Sequence, residues 1–499
     1  MASLDEKKGI DVGQTYRNVN SCKEFLVSIA AVERKKIEHN LRDAKFCTIM
    51  SDGSTDVSVI ENEIVYVHFA LKGKIHCYFL GLIECEHANA EGIFDAIFKA
   101  VDFEDIPKSE MYNKIIAFAG DGASVNTGEI NGVISHFRRN INSNILMIKC
   151  VSHRIELAFK DAMKSSTLYN KIFDMLGQLF KFYHNSPKQM AGLKSAAEAC
   201  KKSLRHPTRV GGTRWVGHVL TALKNLLIGY KVFITHLEQV ASVRSQSSAQ
   251  SKAKFFLKLL KSKDVITFAH FLIDVLTVIS SMSMALQKRG TCVYEVHRQL
   301  ELTATNLRKL ETRPGLELRK IMDCDEFHGV SFSQLTGDTS TSQMPKVISA
   351  LIVCIQKRFS DIDAGIFKCT TVVQLDSWPS DYQEATEFGD EAVSAVLDYY
   401  HDNLAAQNIE TSLVEIEWTQ LKHLLCENHT VKEMDWIKIN ELYHSQCSNI
   451  LAVFDLMLSL PAGTSECERG FSQMAIVKSK YRNRLHSTTM TLLMTVDLH

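Results

Sequence analysis

The sequence predicts an α/β domain that continues into a long helical region. Its residues are 45% hydrophobic and 23% charged with only 7 Pro, which is typical of an ordered globular chain. Short apolar runs rich in β-branched and aromatic residues fill 46–150, whereas amphipathic stretches of helical period dominate from 153 to about 460. At about 150 residues per domain, the 499 residues are enough for more than one domain.

The elements of the first third follow the order of an RNase H-like α/β core. Three strands come first, Gly73 turns the last two of them into a hairpin, and helices then alternate with strands. The predicted elements are a helix at 22–41, strands at 46–50, 63–71 and 75–85, a helix at 90–101, a strand at 114–119, a helix at 123–139 and a strand at 145–150.

Strand signals almost vanish beyond His153. Amphipathic periods predict helices at 165–185, 221–242, 252–287 and 293–311, and the Ser-, Thr- and Gly-rich segment 327–345 predicts a loop among them. The most apolar stretch, 268–286, is interrupted by His270 and Asp274, so the sequence predicts no membrane span.

Charge and cysteine usage limit the functional classes. Because the formal net charge is +0 and the pI is about 7.3, no global field draws the chain to nucleic acid, and any such binding must come from local basic surface. The 13 Cys are scattered singly and the first ten residues lack an apolar signal segment, which indicates reduced thiols in a nuclear or cytosolic compartment.

Two aspartates follow predicted strands. Asp52 lies in Ser51-Asp-Gly-Ser-Thr-Asp56 after the first strand, and Asp121 lies in Gly-Asp-Gly-Ala-Ser after the fourth. Taken singly, each is explained by turn or helix-cap chemistry. In an RNase H-like order these two strands are neighbours, so both carboxylates would meet at one sheet edge, where they could bind a hard cation.

A third acidic candidate is Glu468, at the start of a predicted helix. A helix-borne Glu packed on the sheet could complete a two-metal carboxylate site for phosphodiester chemistry. The alternative is a capping box, in which Ser465 and Glu468 satisfy backbone N–H groups at the start of the helix.

Three further patterns have both a functional and an ordinary interpretation. Cys150 and His153 have the spacing of half a zinc site; Cys426 and His429 repeat it far along the chain, and we expect no structural zinc. His153 could contact phosphate near Asp121, or Cys150 and His153 could simply be core residues. Arg214 and Trp215 could bind nucleic acid, the Arg by contacting a phosphate and the Trp by stacking on a displaced base. The alternative is a buried Trp with the Arg side chain packed on it. The candidate DNA contacts on the closing basic cluster, which could also be a solvated face, are Lys478, Lys480, Arg482 and Arg484.

Together these motifs resemble hAT transposases of the hobo and Activator type, in particular the domesticated vertebrate branch with zinc-finger or SUMO-ligase relatives. The resemblance runs from about Phe46 to the C-terminus and rests most on the DGSTD phrase and on LPAG followed by SECERGFS from Leu460. The stretch 460–498 resembles the hAT C-terminal dimerisation segment. The family usually begins with a BED-type zinc finger, for which nothing before Phe46 supplies paired Cys and His.

The resemblance implies roles for these residues. The three acids of this chain, Asp52, Asp121 and Glu468, match the family's D, D and E ligands of two Mg²⁺ or Mn²⁺ ions. Cys150 and His153 match its C-x-x-H motif. Arg214 and Trp215 match its R-W pair, which supports a flipped base. His153 is accordingly counted with the catalytic residues.

We therefore predict an RNase H-like core interrupted by a large all-α insertion and closed by a helical dimerisation segment. The predicted division is a helical segment 1–45, a first core part 46–210, an insertion 211–450 and a closing segment 451–499. The expected function is metal-dependent DNA cleavage and strand transfer; the alternative is a domesticated, catalytically silent protein that dimerises and binds DNA or protein. By resemblance we expect a nuclear homodimer or higher oligomer with DNA as its partner and no membrane contact.

Overall fold

A computed structural model describes residues 18–211, 215–243, 247–333, 339–379, 381–428, 430–479 and 482–499. Arg214, His429 and Lys480, which the sequence singles out, lie outside these ranges. The chain divides into two compact units. The first comprises residues up to Val151 with 287–297 and 362–499, and the second comprises 152–286 with 298–361.

The elements have the following bounds. The strands are β1 (Cys47–Thr55), β2 (Glu61–Leu71), β3 (Lys74–Glu84), β4 (Ile115–Gly120), β5 (Leu146–Lys149), β6 (Glu326–Phe327) and β7 (Val330–Ser331). The helices to residue 286 are α1 (Val19–Asp43), α2 (Ala90–Ala100), α3 (Lys108–Lys114), α4 (Ser124–Thr127), α5 (Val133–Asn140), α6 (Val151–Met163), α7 (Thr167–His184), α8 (Pro187–Ala199), α9 (Trp215–Ile228), α10 (Tyr230–Ser242), α11 (Ser248–Leu260) and α12 (Lys263–Leu286). The later helices are α13 (Val293–Thr312), α14 (Leu316–Arg319), α15 (Ser340–Arg358), α16 (Gly365–Cys369), α17 (Tyr382–Ala385), α18 (Asp390–Tyr399), α19 (His401–Ala406), α20 (Thr411–Asn428), α21 (Trp436–Tyr443), α22 (Ser448–Leu458), α23 (Ser465–Val477) and α24 (Ser487–Leu498), with 3₁₀ turns at Thr370–Val373, Leu375–Ser377 and Val431–Glu433.

A five-stranded mixed sheet forms the centre of the first unit. Its order is β3-β2-β1-β4-β5, with β1, β2 and β3 antiparallel and β1, β4 and β5 parallel. All six residues of β4 are buried, as expected for a central strand whose apolar side chains are covered on both faces. The predicted α/β class and the predicted strand sequence are confirmed.

The core of the first unit lies between the sheet and the helices that follow it. Ile37 of α1, Ile97 of α2 and Phe137 of α5 belong to one buried cluster with Val67 and Phe118 of the sheet. The predicted helix 123–139 is two helices, α4 and α5, because the chain turns between Gly128 and Gly132, whose backbones are in close contact.

Hydrogen bonds between side chains and backbone groups attach the C-terminal helices to the sheet. Thr48 donates to the carbonyl of Ser459 (2.6 Å), and the Ser459 hydroxyl accepts from the Ala70 N–H (2.9 Å). The Asp455 carboxylate accepts from the N–H groups of Lys72 and Gly73, both at 2.8 Å, at the β2–β3 turn. Residues 362–450, which the sequence placed in the helical insertion, lie in the unit that contains the sheet.

The second unit is helical apart from the two-residue strands β6 and β7. The predicted helix 221–242 is divided at Gly229 into α9 and α10, and the predicted loop 327–345 contains a short hairpin and the start of α15, with Pro345 inside that helix. Among the described residues α12 is the one helix with the length and composition to cross a membrane, and 67% of its most apolar window is buried inside the protein. Burial of that kind is typical of a core helix.

Gly73 provides a test of the β2–β3 turn. Its φ is +77°, and a Cβ added there would lie 2.2 Å from the carbonyl oxygen of Trp436. We expect Gly73→Ala to lower the free energy of unfolding by about 2 kcal/mol or more, because the left-handed backbone and a backbone clash both oppose the methyl group. Chemical denaturation with tryptophan fluorescence measures the change.

The matched control is Gly217→Ala in α9, where an added Cβ meets nothing within 4 Å. This substitution should stabilise the helix by about 0.5–1 kcal/mol. Equal effects of the two substitutions would contradict the described turn.

Candidate active site

Strand pairing brings Asp52 and Asp121 to one edge of the sheet. In the parallel pair β1–β4, Met50 is the partner of Ala119, and each aspartate follows two residues later on its own strand path. Because side chains alternate along a strand, residues two positions beyond a paired couple project to the same face. The sequence-based expectation that the two strands are neighbours is confirmed by this register.

The Asp121 carboxylate is held in place by its own turn. Its Oδ1 accepts from the Ala123 N–H (3.0 Å) and from the Asn126 side-chain amide (2.7 Å). Helix α4 begins at Ser124 with Ala123 as its N-cap, so Asp121 is not a helix cap. The Asn126 Oδ1 atom is buried without a hydrogen-bond partner among the described residues, which leaves one more oxygen beside the carboxylate.

Glu468 is the fourth residue of α23, so Ser465 is the first residue of the helix and not the N-cap that the alternative capping box assumed. The helix begins at Ser465 after the N-cap Thr464, whose side chain makes no capping bond. One turn of helix beyond the start, Gly470 packs against β2, since a Cβ there would lie 2.3 Å from Ile64 Cδ1 and 2.7 Å from the Tyr66 hydroxyl. A glycine at this position allows α23 to lie close to the sheet.

The charges of the other two predicted ligands, Asp121 and Glu468, act at Asp52. Burial, then the charge of Asp121 and then that of Glu468 together raise the pKa of Asp52 to about 7, against the opposing effect of the Gly53 N–H. Three acids that lie far apart in the sequence are therefore close enough for electrostatic repulsion. Among the described residues, however, no three His, Cys, Asp or Glu side chains are arranged to hold a metal ion together.

A fourth acid, Glu63, was missed by the sequence reasoning. It lies on β2 opposite Gly53, is 4% exposed, and accepts a hydrogen bond from the Ser51 hydroxyl. The pKa of Glu63 is raised to about 8, mainly by burial and also by the charges of Asp52 and Asp121, although the hydrogen bond from Ser51 lowers it. The only sequence signal was a Glu at the head of the apolar run 63–71.

The donors of this acidic site, defined as Asp52, Glu63, Asp121 and Glu468, suit a hard divalent cation. Carboxylate and amide oxygens are the ligands that Mg²⁺ and Mn²⁺ prefer, and the unpartnered Asn126 Oδ1 adds a neutral oxygen to the set. A cation would also offset the mutual repulsion that raises the pKa of Asp52 and of Glu63.

Two family models match the chain. The RNase-like domain described for ZMYM1/FAM200 matches residues 15–132, which contain β1 to β4 with Asp52 and Asp121. The hAT family C-terminal dimerisation region matches residues 416–497, which contain α23 with Glu468. The chain is an hAT-type, transposase-derived protein. The resemblance read from the DGSTD and SECERGFS phrases is confirmed.

The C-x-x-H pair of this hAT-type chain is divided between the two units. Cys150 is 3% exposed, its N–H donates to the Gly120 carbonyl (2.9 Å), and its Sγ lies beside Gly463. His153 is exposed on the first turn of α6, which belongs to the second unit. A contact of His153 with phosphate stays a prediction.

Trp215, the aromatic member of the R-W pair, lies among other rings of the second unit. Phe159, Tyr169 and Phe173 pack edge-to-face with it at centroid distances of 5.9, 6.4 and 5.5 Å. Its indole Nε1 is buried without a hydrogen-bond partner among the described residues. The packed-aromatic interpretation therefore describes its surroundings, and support of a flipped base stays a prediction.

Lys478 forms a buried ion pair instead of extending into solvent. Its Nζ lies 2.6 Å from Asp56 Oδ2, and both side chains are 2% exposed. Asp56 also accepts from the Ser58 N–H (2.7 Å), and the Ser58 hydroxyl donates to the Asn483 carbonyl (2.8 Å). The tail after α23 is thus attached to the turn that follows Asp52, and we assign Lys478 a structural role in place of the expected DNA contact.

Arg482 and Arg484 in the same tail are exposed. They keep the guanidinium groups in solvent, where phosphate contacts are made. For these two residues, contact with DNA stays a prediction.

Replacing Lys478 tests whether its buried ion pair stabilises the fold, in contrast to the exposed arginines of the same tail. We expect Lys478→Met to lower the free energy of unfolding by about 1–3 kcal/mol, since it leaves the buried Asp56 carboxylate without its cation. The double variant with Asp56→Asn should lose less than the sum of the single losses. Denaturant titrations of the four proteins measure the coupling.

The control is Arg482→Met, which removes an equal charge from an exposed position and should leave stability within about 0.5 kcal/mol. If Lys478→Met were as stable as wild type, the buried ion pair would not be stabilising the tail.

Proposed function

We propose that this hAT-type chain is a metal-dependent DNA nuclease and strand-transfer enzyme of transposase ancestry. The observation that carries the proposal is the convergence of acidic charge at Asp52, where Asp121 from the neighbouring parallel strand and Glu468 from α23 both raise the pKa. The finer architecture we propose is an RNase H-like core, with the second unit as its all-α insertion and 416–499 as its dimerisation segment. The expected place of action is the nucleus.

The acidic site would hold two Mg²⁺ or Mn²⁺ ions through Asp52, Asp121 and Glu468. Such ions supply charge neutralisation at a phosphodiester and a water or 3′ hydroxyl that ionises readily. Asn126 and the Ala123 N–H orient the Asp121 carboxylate through Oδ1. Glu63, which accepts a hydrogen bond from Ser51, has a pKa raised to about 8, so it would become an anionic ligand or neighbour only once cations offset the charge of the site.

The packing of α23 on β2 supports a rigid site. Gly470 allows the close approach, and Lys478 with Asp56 attaches the far end of the helix to the turn after β1. A carboxylate carried by an element that is fixed at both ends keeps its geometry better than one on a loop.

The second candidate is a catalytically silent, dimerising protein that binds DNA or protein. The observation that favours it is that no three acidic side chains are arranged around one metal position among the described residues. The two candidates differ in one measurable property, which is metal-dependent cleavage.

We expect purified protein to nick supercoiled DNA with Mg²⁺ or Mn²⁺, and Asp121→Asn to reduce the rate by about 100-fold or more, because one metal-binding carboxylate is lost. Chelation with EDTA should stop cleavage. The control is Asp95→Asn, which removes an exposed carboxylate from α2 of the same unit and should cleave like wild type.

Equal cleavage by wild type and Asp121→Asn would identify a contaminating nuclease. Absence of cleavage by wild-type protein that still binds Mn²⁺, measured by electron paramagnetic resonance, would favour the silent candidate.

Self-association is supported by the match to the hAT dimerisation region. That region begins at Ile416, which is 65% exposed on α20, and Leu413 one turn earlier is 39% exposed. An open groove of about 600 Å³ follows Ile416 along the same helix. We propose that this apolar face of α20 contacts a second copy of the chain.

Light scattering after size exclusion should give about twice the 56.2 kDa chain mass. Ile416→Glu should raise the dissociation constant of the dimer by about tenfold or more, because a charge would be buried in an apolar contact. Val353→Glu is the matched control, since Val353 is 60% exposed on α15 of the second unit. Equal effects of both changes would exclude the α20 face.

A further inference from the structure

The neutral net charge hides opposite charges on the two units. The helical unit, 152–286 with 298–361, contains 29 Lys and Arg against 15 Asp and Glu, a formal charge of +14. The unit that contains the sheet has 28 against 42, a formal charge of −14. A single-sign excess of this size in one compact unit creates a local field that attracts polyanions.

The longest stretch of the helical unit without an acidic residue lies between two glutamates. From Glu198 to Glu238 the intervening chain has seven Lys and Arg and no Asp or Glu. Four of them are in the segment 201–209, which connects α8 to α9 and which we call the basic loop.

The basic loop is held against α7, α9 and α10. The Asn225 amide of α9 donates to the Thr208 hydroxyl (2.7 Å), and the Arg205 Cβ packs against Gly229 between α9 and α10. On either side of the loop, Cys200 Sγ lies 3.6 Å from the Thr235 hydroxyl of α10, and Val210 packs beside Gly177 of α7. The loop is therefore a fixed part of the helical surface.

Its cationic side chains point to solvent. Lys201, Lys202, Arg205 and Arg209 are exposed, as is Lys224 on α9 next to the Asn225 contact. None of these five is in an ion pair within the part of the chain that the structure describes. At the start of α10, Lys231 is half-buried and its Nζ lies 3.5 Å from the Gly329 carbonyl.

We infer that the basic loop, with Lys224 and Lys231, is a docking surface for the sugar-phosphate backbone of DNA. A rigid surface with several unpaired cations and no interspersed acid matches a regularly charged polyanion, whose binding releases counterions. The inference rests on the proposed function in one respect, the choice of DNA as the polyanion. It assigns non-specific affinity to the helical unit and separates it from cleavage at the acidic site.

The test is DNA binding by full-length protein in EDTA, which removes cleavage from the measurement. Fluorescence anisotropy with a labelled duplex would compare wild type with the triple variant Lys202→Gln, Arg205→Gln and Arg209→Gln. We expect binding about tenfold or more weaker at about 0.1 M salt, and a slope of log affinity against log salt that is smaller by about 2–3.

The matched control removes three exposed cations elsewhere in the same unit, by Arg308→Gln, Lys309→Gln and Lys346→Gln. It should bind nearly like wild type and keep the wild-type salt slope. Circular dichroism and the unfolding midpoint establish that both triple variants are folded.

Two results would overturn the inference. One is equal weakening by both triple variants, which would make binding a property of overall charge. The other is that wild type binds a polyglutamate peptide of equal charge as well as DNA, or binds no DNA at all. Loss of binding in the loop variant with no cleavage by wild type would support the loop while rejecting the nuclease, so the two proposals fail separately.

Discussion

The parallel pairing of β1 with β4 is the constraint on which the acidic site depends. The local sequence of neither strand determines that the two aspartates meet. The pairing of Met50 with Ala119 does so, because Asp52 and Asp121 each follow two residues after this pair at the same edge of the sheet. Burying carboxylates together is unfavourable, and burial with mutual repulsion raises the pKa of Asp52. The fold tolerates this cost because the surrounding core, with a fully buried β4, keeps the strands in register.

The same site depends on both ends of the chain. Asp52 and Asp121 come before residue 130, whereas Glu468 comes from α23, and the segment around Ser459 is hydrogen-bonded to β1 and β2. Pro461 forms a bridge with Cys292, and the Ala462 N–H donates to the Thr291 carbonyl (2.9 Å). The direction in which the chain enters α23 is thus set by distant residues. This is consistent with a helix that begins after Thr464, with Ser465 as its first residue.

Local patterns in the sequence predicted what depends on local forces. Strand identity, strand sequence and the positions of Asp52 and Asp121 followed from apolar runs and turn residues. Glu63 and Lys478 could not be assigned in this way, since their surroundings are made by pairing with Gly53 and with Asp56 across the fold. The break between α9 and α10 at Gly229 was not predicted. The apolar helical period continues from one helix into the next, although the first helix ends at Ile228 and the second begins at Tyr230.

Summing charge over the whole chain was misleading for a related reason. A field depends on where charges lie, and because salt at about 0.1 M screens charges over about 10 Å, the sum over the whole chain does not describe the field at the surface of the helical unit, whose own formal charge is +14. An acidic site for metal ions repels phosphate until cations are bound, so a polynucleotide enzyme needs its attraction elsewhere. In the proposed enzyme, separating the acidic site from the basic docking surface would meet both demands within a chain of zero net charge.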